Sequence, residues 1–472
     1  MPPGRVNAMR LHAPLLRLAL AGALLATSCG FQQTISQRSL PTLSSRQQQR
    51  PLLPRMATPC ARAGPRMVAL SAEETEPEPQ FPLDPHRWVQ LGLLSTLALL
   101  SDWVCFATSA VPNEWMMLEG HDASELIDIF LFANVVSCFL YTDITAFFGL
   151  RKAICFASGL MAAGALLRSG IPFSVDALGG LYAGVDAMPA YLTIVVGTIL
   201  VGVSQPFFQC APPLLSQTWF GPSERSLATA TAINFNQVGI ATAFIVGGLM
   251  ANTPLGMAHY FDAMTLCAIG ASIATVFLFR ERPASPPSGS AAAAWALEAE
   301  KLEEEGKQPF SLSYPRKAAA LLQVPGFELA LIAFVASIGT TNVVSAFTAP
   351  ELARAGFAPG FGVDLAGAGF QFAIVAGGIV LGRFVDQTKQ FKQVMLSCLL
   401  ASIAMLAALG VAEGYDQSFA TWAVTGLLFS LGFVAGPVQP IAAELAVEVA
   451  YPCDENAVEA TQQLSGNLFS AL

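Results

Sequence analysis

A carboxylate and an indole stand side by side at Asp102 and Trp103, inside an apolar run that covers residues 88–111. A charge at the depth of a bilayer is costly, so an ionisable residue there usually has a function. The Asp102 carboxylate could attract a cationic ligand, or it could take up and release a proton. The alternative is structural: the carboxylate lies near one end of the run and hydrogen-bonds to a serine or threonine.

Three amide side chains interrupt another apolar run, which covers residues 227–251. Asn234, Asn236 and Gln237 either join neighbouring helices through hydrogen bonds or line a polar pathway between them. We favour the second role for one of them, Gln237, and we include Asn236 in the predicted binding set.

A glycine followed by cations recurs where two of the apolar runs end. The two segments are Gly149-Leu150-Arg151-Lys152 and Gly382-Arg383-Phe384-Val385-Asp386-Gln387-Thr388-Lys389. Glycine allows helices to approach closely, and cations can meet helix C-termini or carboxylates on a neighbouring helix. Glu444 and Glu448, one helical turn apart, are the predicted partners of Arg383. Anchoring at the membrane surface is the alternative for each cation.

Motifs for catalysis and for metal binding are missing from the sequence. It has no H-E-x-x-H, G-x-S-x-G, C-x-x-C or phosphate-binding G-x-x-x-x-G-K pattern. The four histidines, at positions 12, 86, 121 and 259, do not share a ligand spacing. We therefore predict that the protein is not an enzyme, holds no metal or cofactor, and does not use ATP.

The overall composition is that of a membrane protein. Of 472 residues, 54% are hydrophobic and 12% are charged, whereas about a quarter of a soluble chain is charged. Nine scattered cysteines exclude a secreted disulfide scaffold. A net charge of −9 without a basic stripe argues against a nucleic-acid partner.

Ten apolar runs are long enough to cross a bilayer as helices. They cover residues 88–111, 125–148, 153–169, 190–215, 227–251, 261–279, 327–349, 366–385, 391–411 and 418–443. Gly and Pro interrupt some runs, as at Gln205-Pro206 and Gly436-Pro437. An eleventh run starts near Ala457, and the chain stops at Leu472. From this the sequence predicts a truncated gene product, with an all-α membrane fold.

The loops between the runs alternate in charge, which supports the number of runs and fixes a common orientation. The basic loops contain Arg151, Lys152, Arg225, Arg383, Lys389 and Lys392. The acidic loops contain Glu114, Glu119, Asp122, Asp176, Asp186, Glu351, Asp364, Glu413 and Asp416, with Arg354 as their only cation. We call the two sides the basic face and the acidic face. The N-terminus and the central loop share the basic face.

The N-terminal region differs in composition from the rest of the chain. Residues 1–72 contain nine arginines and no acidic residue. Residues 1–30 have the charged start and short apolar core of a signal peptide, and residues 31–72 have the acid-free composition of a transit peptide. Such a bipartite leader is similar to those of algae with secondary plastids, which predicts a plastid envelope protein. A plain secretory signal, leading to the plasma membrane or an endomembrane, is the alternative.

A polar central segment divides the remaining chain into two parts. An acidic lead-in at 73–86 precedes a predicted six-helix half at 87–280. The loop at 281–325 is rich in Pro, Ser, Ala and Glu, and residues 326–472 form the second half. Two repeated halves around a long loop are typical of secondary transporters.

Several segments resemble the major facilitator superfamily, and within it the branch of the feline leukaemia virus subgroup C receptor-related transporters. The similar segments are Ser204-Gln205-Pro206-Phe207-Phe208, Ala211-Pro212-Pro213, residues 218–225, residues 228–231, residues 236–239 and residues 444–452. The glycine–cation segments are similar to the loop signature of the whole superfamily. This resemblance implies two six-helix halves, and a substrate among choline-like amines, haem or vitamins.

The resemblance also implies positions for the substrate site. Trp103 matches a tryptophan that lines the central cavity, Gln205 a glutamine before proline on helix four, and Asn467 a polar amide on helix eleven. Helix seven lacks the aromatic residue that the family has there. Asn342 lies in that region, and we include it among the predicted substrate-binding residues. A half-cage weakens the case for a quaternary amine. The aspartate expected three residues before Gly149 is replaced by alanine, with Asp143 one turn earlier.

The sequence thus predicts a monomeric secondary or facilitative carrier of a small organic solute by alternating access. A proton-coupled symporter of an organic anion or sugar, with Asp102 as the proton carrier, is one alternative. A non-transporting membrane receptor or scaffold is the other.

Overall fold

The computed structural model describes residues 82–171, 188–289, 310–358, 360–414, 421–451 and 453–472, and scattered positions from 291 to 300. The predicted signal peptide, the transit-like leader and most of the acidic lead-in lie outside the described residues. The same holds for part of the central loop and for Asp176, Asp186 and Asp416.

The described residues form helices and no strands. In chain order the helices are α1 Arg87–Cys105, α2 Pro112–Glu119, α3 Ala123–Phe148, α4 Leu150–Arg168, α5 Tyr191–Ser204, α6 Pro206–Gln209, α7 Pro212–Trp219, α8 Arg225–Met250, α9 Pro254–Leu278, α10 Tyr314–Leu321, α11 Phe327–Arg354, α12 Phe361–Thr388, α13 Phe391–Gly414, α14 Thr421–Ala435, α15 Val438–Ala450 and α16 Glu455–Ala471. Helices α1–α9 are called the N-terminal half below, and α11–α16 the C-terminal half.

Ten helical segments are long and apolar enough to cross a membrane, as the sequence predicts. The segments Tyr191–Trp219 and Trp422–Ala450 are each interrupted. The interruptions fall at the predicted Gln205-Pro206 and Gly436-Pro437 pairs, because proline lacks the backbone N–H that continues a helix.

Several helix ends differ from the predicted bounds, and the largest differences in the N-terminal half are at α1 and α9. In the C-terminal half, α12 begins at Phe361 instead of 366, and the tenth segment ends at Ala450 instead of 443. Helix α1 ends at Cys105, and residues 106–111, predicted to continue it, form buried turns. Helix α9 begins at Pro254, seven residues before the predicted start. Thr253 caps it by accepting a hydrogen bond from the backbone N–H of Gly256 at 3.0 Å, and a proline in the first turn suits a helix start. The cap and the proline therefore determine the start, rather than the apolar run.

Two helix pairs make most of the contacts between the halves: α3 packs against α16, and α8 packs against α12. Helix α16 also contacts α6 and α7. Glycine makes some of these contacts close. A Cβ atom on Gly248 of α8 would collide with the Asp364 carboxylate of α12, and one on Gly239 would collide with the backbone of Leu99 in α1. Helix α8 is thus fixed between α1 and the C-terminal half, which places its amides near the centre of the molecule.

Candidate solute-binding site

A chain of hydrogen-bonded polar side chains crosses the middle of the helical assembly. Gln205 Nε2 donates to Asp102 Oδ1 at 2.8 Å, and Gln205 Oε1 accepts from Asn134 Nδ2 at 2.7 Å. Asn134 Oδ1 in turn accepts from Asn467 Nδ2 at 2.8 Å. All four residues are buried. We call these four residues the polar chain; it connects the N-terminal half to the C-terminal half.

The break in the fourth membrane segment positions Gln205. Helix α5 ends at Ser204, and Pro206 starts α6. The Gln205 N–H still bonds to Val201 O at 3.1 Å, so the backbone stays compact while its side chain reaches α1 and α3. A helix break at membrane depth is tolerated where it is buried in protein, as here.

The polar chain leaves one strong acceptor without a partner. Asp102 Oδ2 is buried and makes no hydrogen bond to the described residues. A buried carboxylate oxygen without a donor is unfavourable by a few kcal/mol, so this oxygen is suited to accept from a ligand or to carry a proton. The structure therefore does not favour the alternative in which a serine or threonine satisfies Asp102.

An aromatic pair adjoins the polar chain. Trp103 Nε1 donates to the Tyr260 hydroxyl at 2.9 Å, and the two rings lie 6.2 Å apart at 47°. The Tyr260 hydroxyl is also within 3.4 Å of Ala243 O. A second aromatic wall thus comes from α9, whereas the family resemblance places it on helix seven.

The three other predicted amides, Asn236, Gln237 and Asn342, differ in their hydrogen-bond partners. Asn236 is buried with Oδ1 unpartnered among the described residues, and Gln237 is partly buried with Oε1 likewise unpartnered. Asn342 donates to Ser470 Oγ at 3.1 Å, and no hydrogen bond joins it to the polar chain. Asn236 and Gln237 therefore retain free acceptors, while Asn342 connects α11 to α16.

Two residues of the site are not predicted by the sequence. The predicted set omits Asn134, although this residue is an amide within the apolar run Phe132-Ala133-Asn134-Val135-Val136, the same kind of signal as at Asn236. Tyr260 fell one residue outside the predicted sixth run. The signal that includes it is Thr253-Pro254, a helix start that extends α9 past Tyr260.

At the basic face the first glycine–cation segment is held through its backbone. The Glu281 carboxylate accepts from the amides of Leu150 and Arg151, both at 2.8 Å. Gly149 has φ +84°, and a Cβ there would press on the same carboxylate. Glu281 thus caps the N-terminus of α4, where a negative charge is favourable.

The second glycine–cation segment is largely exposed. Arg383 and Lys389 are exposed. The side chain of Asp386 is not among those that the structure describes. Glu444 and Glu448 are also exposed. The pairing of Arg383 with this glutamate pair stays a prediction.

Asp143 takes a role that the sequence does not predict. Its carboxylate accepts from the amides of Ser313 and Tyr314 at 2.8 and 3.1 Å, and from the Ser313 hydroxyl. These groups form the N-terminus of α10. From α10, Tyr314 hydrogen-bonds to Thr461 at 3.2 Å, and Lys317 pairs with Asp454 at 2.8 Å. Helix α10 thus joins α3 to α16 at the basic face.

Comparison with known proteins agrees with this architecture. The model of the Major Facilitator Superfamily matches residues 91–466. Solute carrier family 49 member A3 of Xenopus tropicalis is 27% identical over 394 residues, which are 82% of this chain and 77% of that protein. Choline/ethanolamine transporter FLVCR1 of Felis catus is 25% identical over 487 residues, which are 99% of this chain and 80% of that protein.

Among solved structures, a D-xylose-proton symporter superposes with a TM-score of 0.55 at 14% identity, covering 81% of this chain and 88% of that one. At this identity the likeness shows the fold alone. The family model covers most of the chain, and the helical architecture is the same. The chain belongs to the major facilitator superfamily.

Proposed function

We propose that this multi-pass membrane transporter carries a small organic amine, of the choline or ethanolamine type, between its two halves by alternating access. The observation that carries the proposal is the unpartnered Oδ2 of Asp102, buried next to Trp103. A carboxylate attracts a cation, and an aromatic face binds an ammonium group through its quadrupole. The relative from Felis catus is named a choline/ethanolamine transporter, which supports the same class of solute.

The site offers both aromatic and polar contacts to a small ammonium compound. Trp103 and Tyr260 provide two aromatic walls, but their polar edges are engaged with each other at 2.9 Å. Asp102 Oδ2 can accept from an N–H or a hydroxyl, and Asn236 and Gln237 have acceptors without a partner among the described residues on α8, which packs against α1. The sequence has no ATP-binding motif, so the movement follows a gradient of the solute or of a coupling ion.

A proton-coupled symporter of an organic anion or sugar is the second candidate. It is favoured by the same free oxygen of Asp102, since a buried carboxylate can bind a proton in one state and release it in another. The two candidates differ in what neutralises Asp102: a cationic solute in the first and a proton in the second.

Uptake by proteoliposomes that contain the full chain distinguishes the candidates. We expect saturable uptake of radiolabelled choline or ethanolamine that does not require a pH gradient. Trp103→Ala should reduce it about tenfold or more, whereas Trp422→Ala, whose side chain is exposed, should leave it unchanged. Accumulation of a sugar or organic anion under a pH gradient, without amine uptake, would establish the second function instead.

We also propose the plastid envelope as the location and a monomer as the working unit. The location rests on the composition of residues 1–72. A fluorescent fusion of those residues should accumulate at the plastid. Delivery of that fusion to the cell surface would support the plain secretory alternative.

A further inference from the structure

An arginine lies inside the N-terminal half without a carboxylate partner. Arg168, the last residue of α4, is 2% exposed. Its Nη1 donates to Thr198 Oγ1 at 3.0 Å, and its guanidinium carbon lies 5.1 Å from the centre of the Phe261 ring. Its Nε has no hydrogen-bond acceptor. No ion pair joins Arg168 to a carboxylate within the described part of the chain.

Burial of an arginine without an anionic partner destabilises the folded protein. A buried cation needs an anion or several strong acceptors to offset the loss of hydration, and a charge within a membrane segment is usually functional. One hydroxyl and one aromatic face do not use the five N–H donors of a guanidinium. The group is therefore suited to a bidentate anion such as a carboxylate or phosphate.

The surroundings hold the guanidinium in a fixed orientation. Thr198 Oγ1 donates to Ile194 O at 2.8 Å, so its lone pairs are left to accept from Arg168. A Cβ atom on Gly197 would lie 2.8 Å from Arg168 Cγ, so glycine makes room for the arginine stem. The position is thus built by α4, α5 and α9 together, rather than by one flexible side chain.

Arg168 also lies close to the proposed amine site. The Phe261 ring that faces its guanidinium lies 5.9 Å from the ring of Tyr260, and the Tyr260 hydroxyl accepts from Trp103. On the other side of this aromatic pair, Asp102 precedes Trp103 in α1 and accepts from Gln205. A negative group and a positive group thus flank the Trp103–Tyr260 pair.

We propose that Arg168 binds an anionic group of the transported amine, so that the preferred solute is zwitterionic: its ammonium end faces Asp102 and its carboxylate or phosphate faces Arg168. This inference rests on the proposed amine transport and adds the second charge of the solute. The shared chemistry is an oxyanion, and the choice of probe separates carboxylate from phosphate.

Competition against radiolabelled choline uptake in proteoliposomes tests the inference. The competitors are unlabelled choline, glycine betaine with its carboxylate, and phosphocholine with its phosphate. For the natural sequence, at least one zwitterion should compete about tenfold better than choline; a tenfold ratio corresponds to about 1.4 kcal/mol. Arg168→Gln should remove this preference while choline uptake persists. Arg168→Lys, which keeps the charge without the bidentate geometry, should retain part of it.

Matched variants control for position and for an internal partner. Arg354→Gln, at an exposed arginine near the acidic face, should leave the preference intact. An unchanged preference for the zwitterion in Arg168→Gln would overturn the inference. An equal loss of this preference in Asp176→Asn, Asp186→Asn or Asp262→Asn would also overturn it, because Arg168 would then pair with a carboxylate of the protein. If Arg168→Gln does not fold, Arg168→Lys decides: an undiminished preference contradicts the inference and a reduced one supports it.

The outcome also separates this inference from the proposed function. Uptake of choline without any advantage for a zwitterion overturns the role of Arg168 and leaves amine transport standing. Failure of the natural sequence to take up or bind any of the three amines overturns both.

Discussion

Asp102 connects the two functional candidates, and a single isosteric change separates them. Asp102→Asn keeps an oxygen for the Gln205 N–H but removes the negative charge. Cation uptake should fall about tenfold or more, because the attraction for an ammonium group is lost. The thermal stability should stay level or rise, since a buried unpaired charge is removed.

The measurement is choline uptake with and without a pH gradient, together with the melting temperature in detergent. Full uptake that no longer responds to the pH gradient would show that Asp102 carries a proton instead. Glu351→Gln at the acidic face is the matched control for a lost carboxylate.

Tyr260 is expected to set the orientation of Trp103. Tyr260→Phe keeps the ring but removes the acceptor of the Trp103 N–H, a hydrogen bond worth about 1 kcal/mol. The KM for the amine should rise by about fivefold with little change in maximal rate. Tyr191→Phe, which loses a bond to Glu125 at 3.1 Å, should have no such effect. Equal KM values for natural protein and Tyr260→Phe would exclude this role.

At the residue scale the sequence predicts part of the site, and the family resemblance supplies more of it than the residues alone. Asp102 follows from the cost of a charge in an apolar run. The partners of Gln205 do not, because their identity depends on how α1, α3 and α16 are arranged in space. Asn134 is recognisable as an amide in an apolar run, but the sequence does not show that it connects Gln205 to Asn467.

Helix α8 contacts α12 through a glycine, and this contact should control the acidic face. Gly248→Leu places a side chain where the Asp364 carboxylate lies, so α8 and α12 cannot close together. We expect slower uptake and faster maleimide labelling of Cys105, which is 2% exposed here. Gly270→Leu, at a glycine with open space around it, is the control. Unchanged labelling would show that this interface does not move.

Helix α10 joins α3 to α16, and its contacts should stabilise closure of the basic face. Asp143→Ala removes the acceptor of the Ser313 and Tyr314 amides, each bond being worth about 1 kcal/mol. Cys138 and Cys210, both fully buried, should then react faster with maleimide, as read by mass spectrometry. In the control variant Ser311→Ala, which lies two residues before this contact, the two cysteines should react at the natural rate. Equal rates for Asp143→Ala would contradict the role of α10.

At the element scale the apolar runs predict the membrane helices well, because length and hydropathy are local properties. The ends are predicted less well. Thr253 and Pro254 start α9 earlier than its apolar run does, and α1 stops at Cys105 inside an apolar run. The role of Asp143 depends on where the central loop returns to the helices, which no local pattern shows.

At the scale of the whole molecule, alternating access requires that the halves separate and rejoin around the polar chain. The contact that must break is between Asn134 of α3 and Asn467 of α16, 2.8 Å apart. The alternating loop charges and the central loop predict two halves, but they do not identify the side chains that meet between them.

The most direct measurement is therefore uptake by the double variant Asn134→Cys, Asn467→Cys after oxidation. A disulfide between the halves should stop amine uptake, and reduction should restore it, while neither single variant should respond to the oxidant in this way. Full uptake by the oxidised, cross-linked protein would contradict transport through this site.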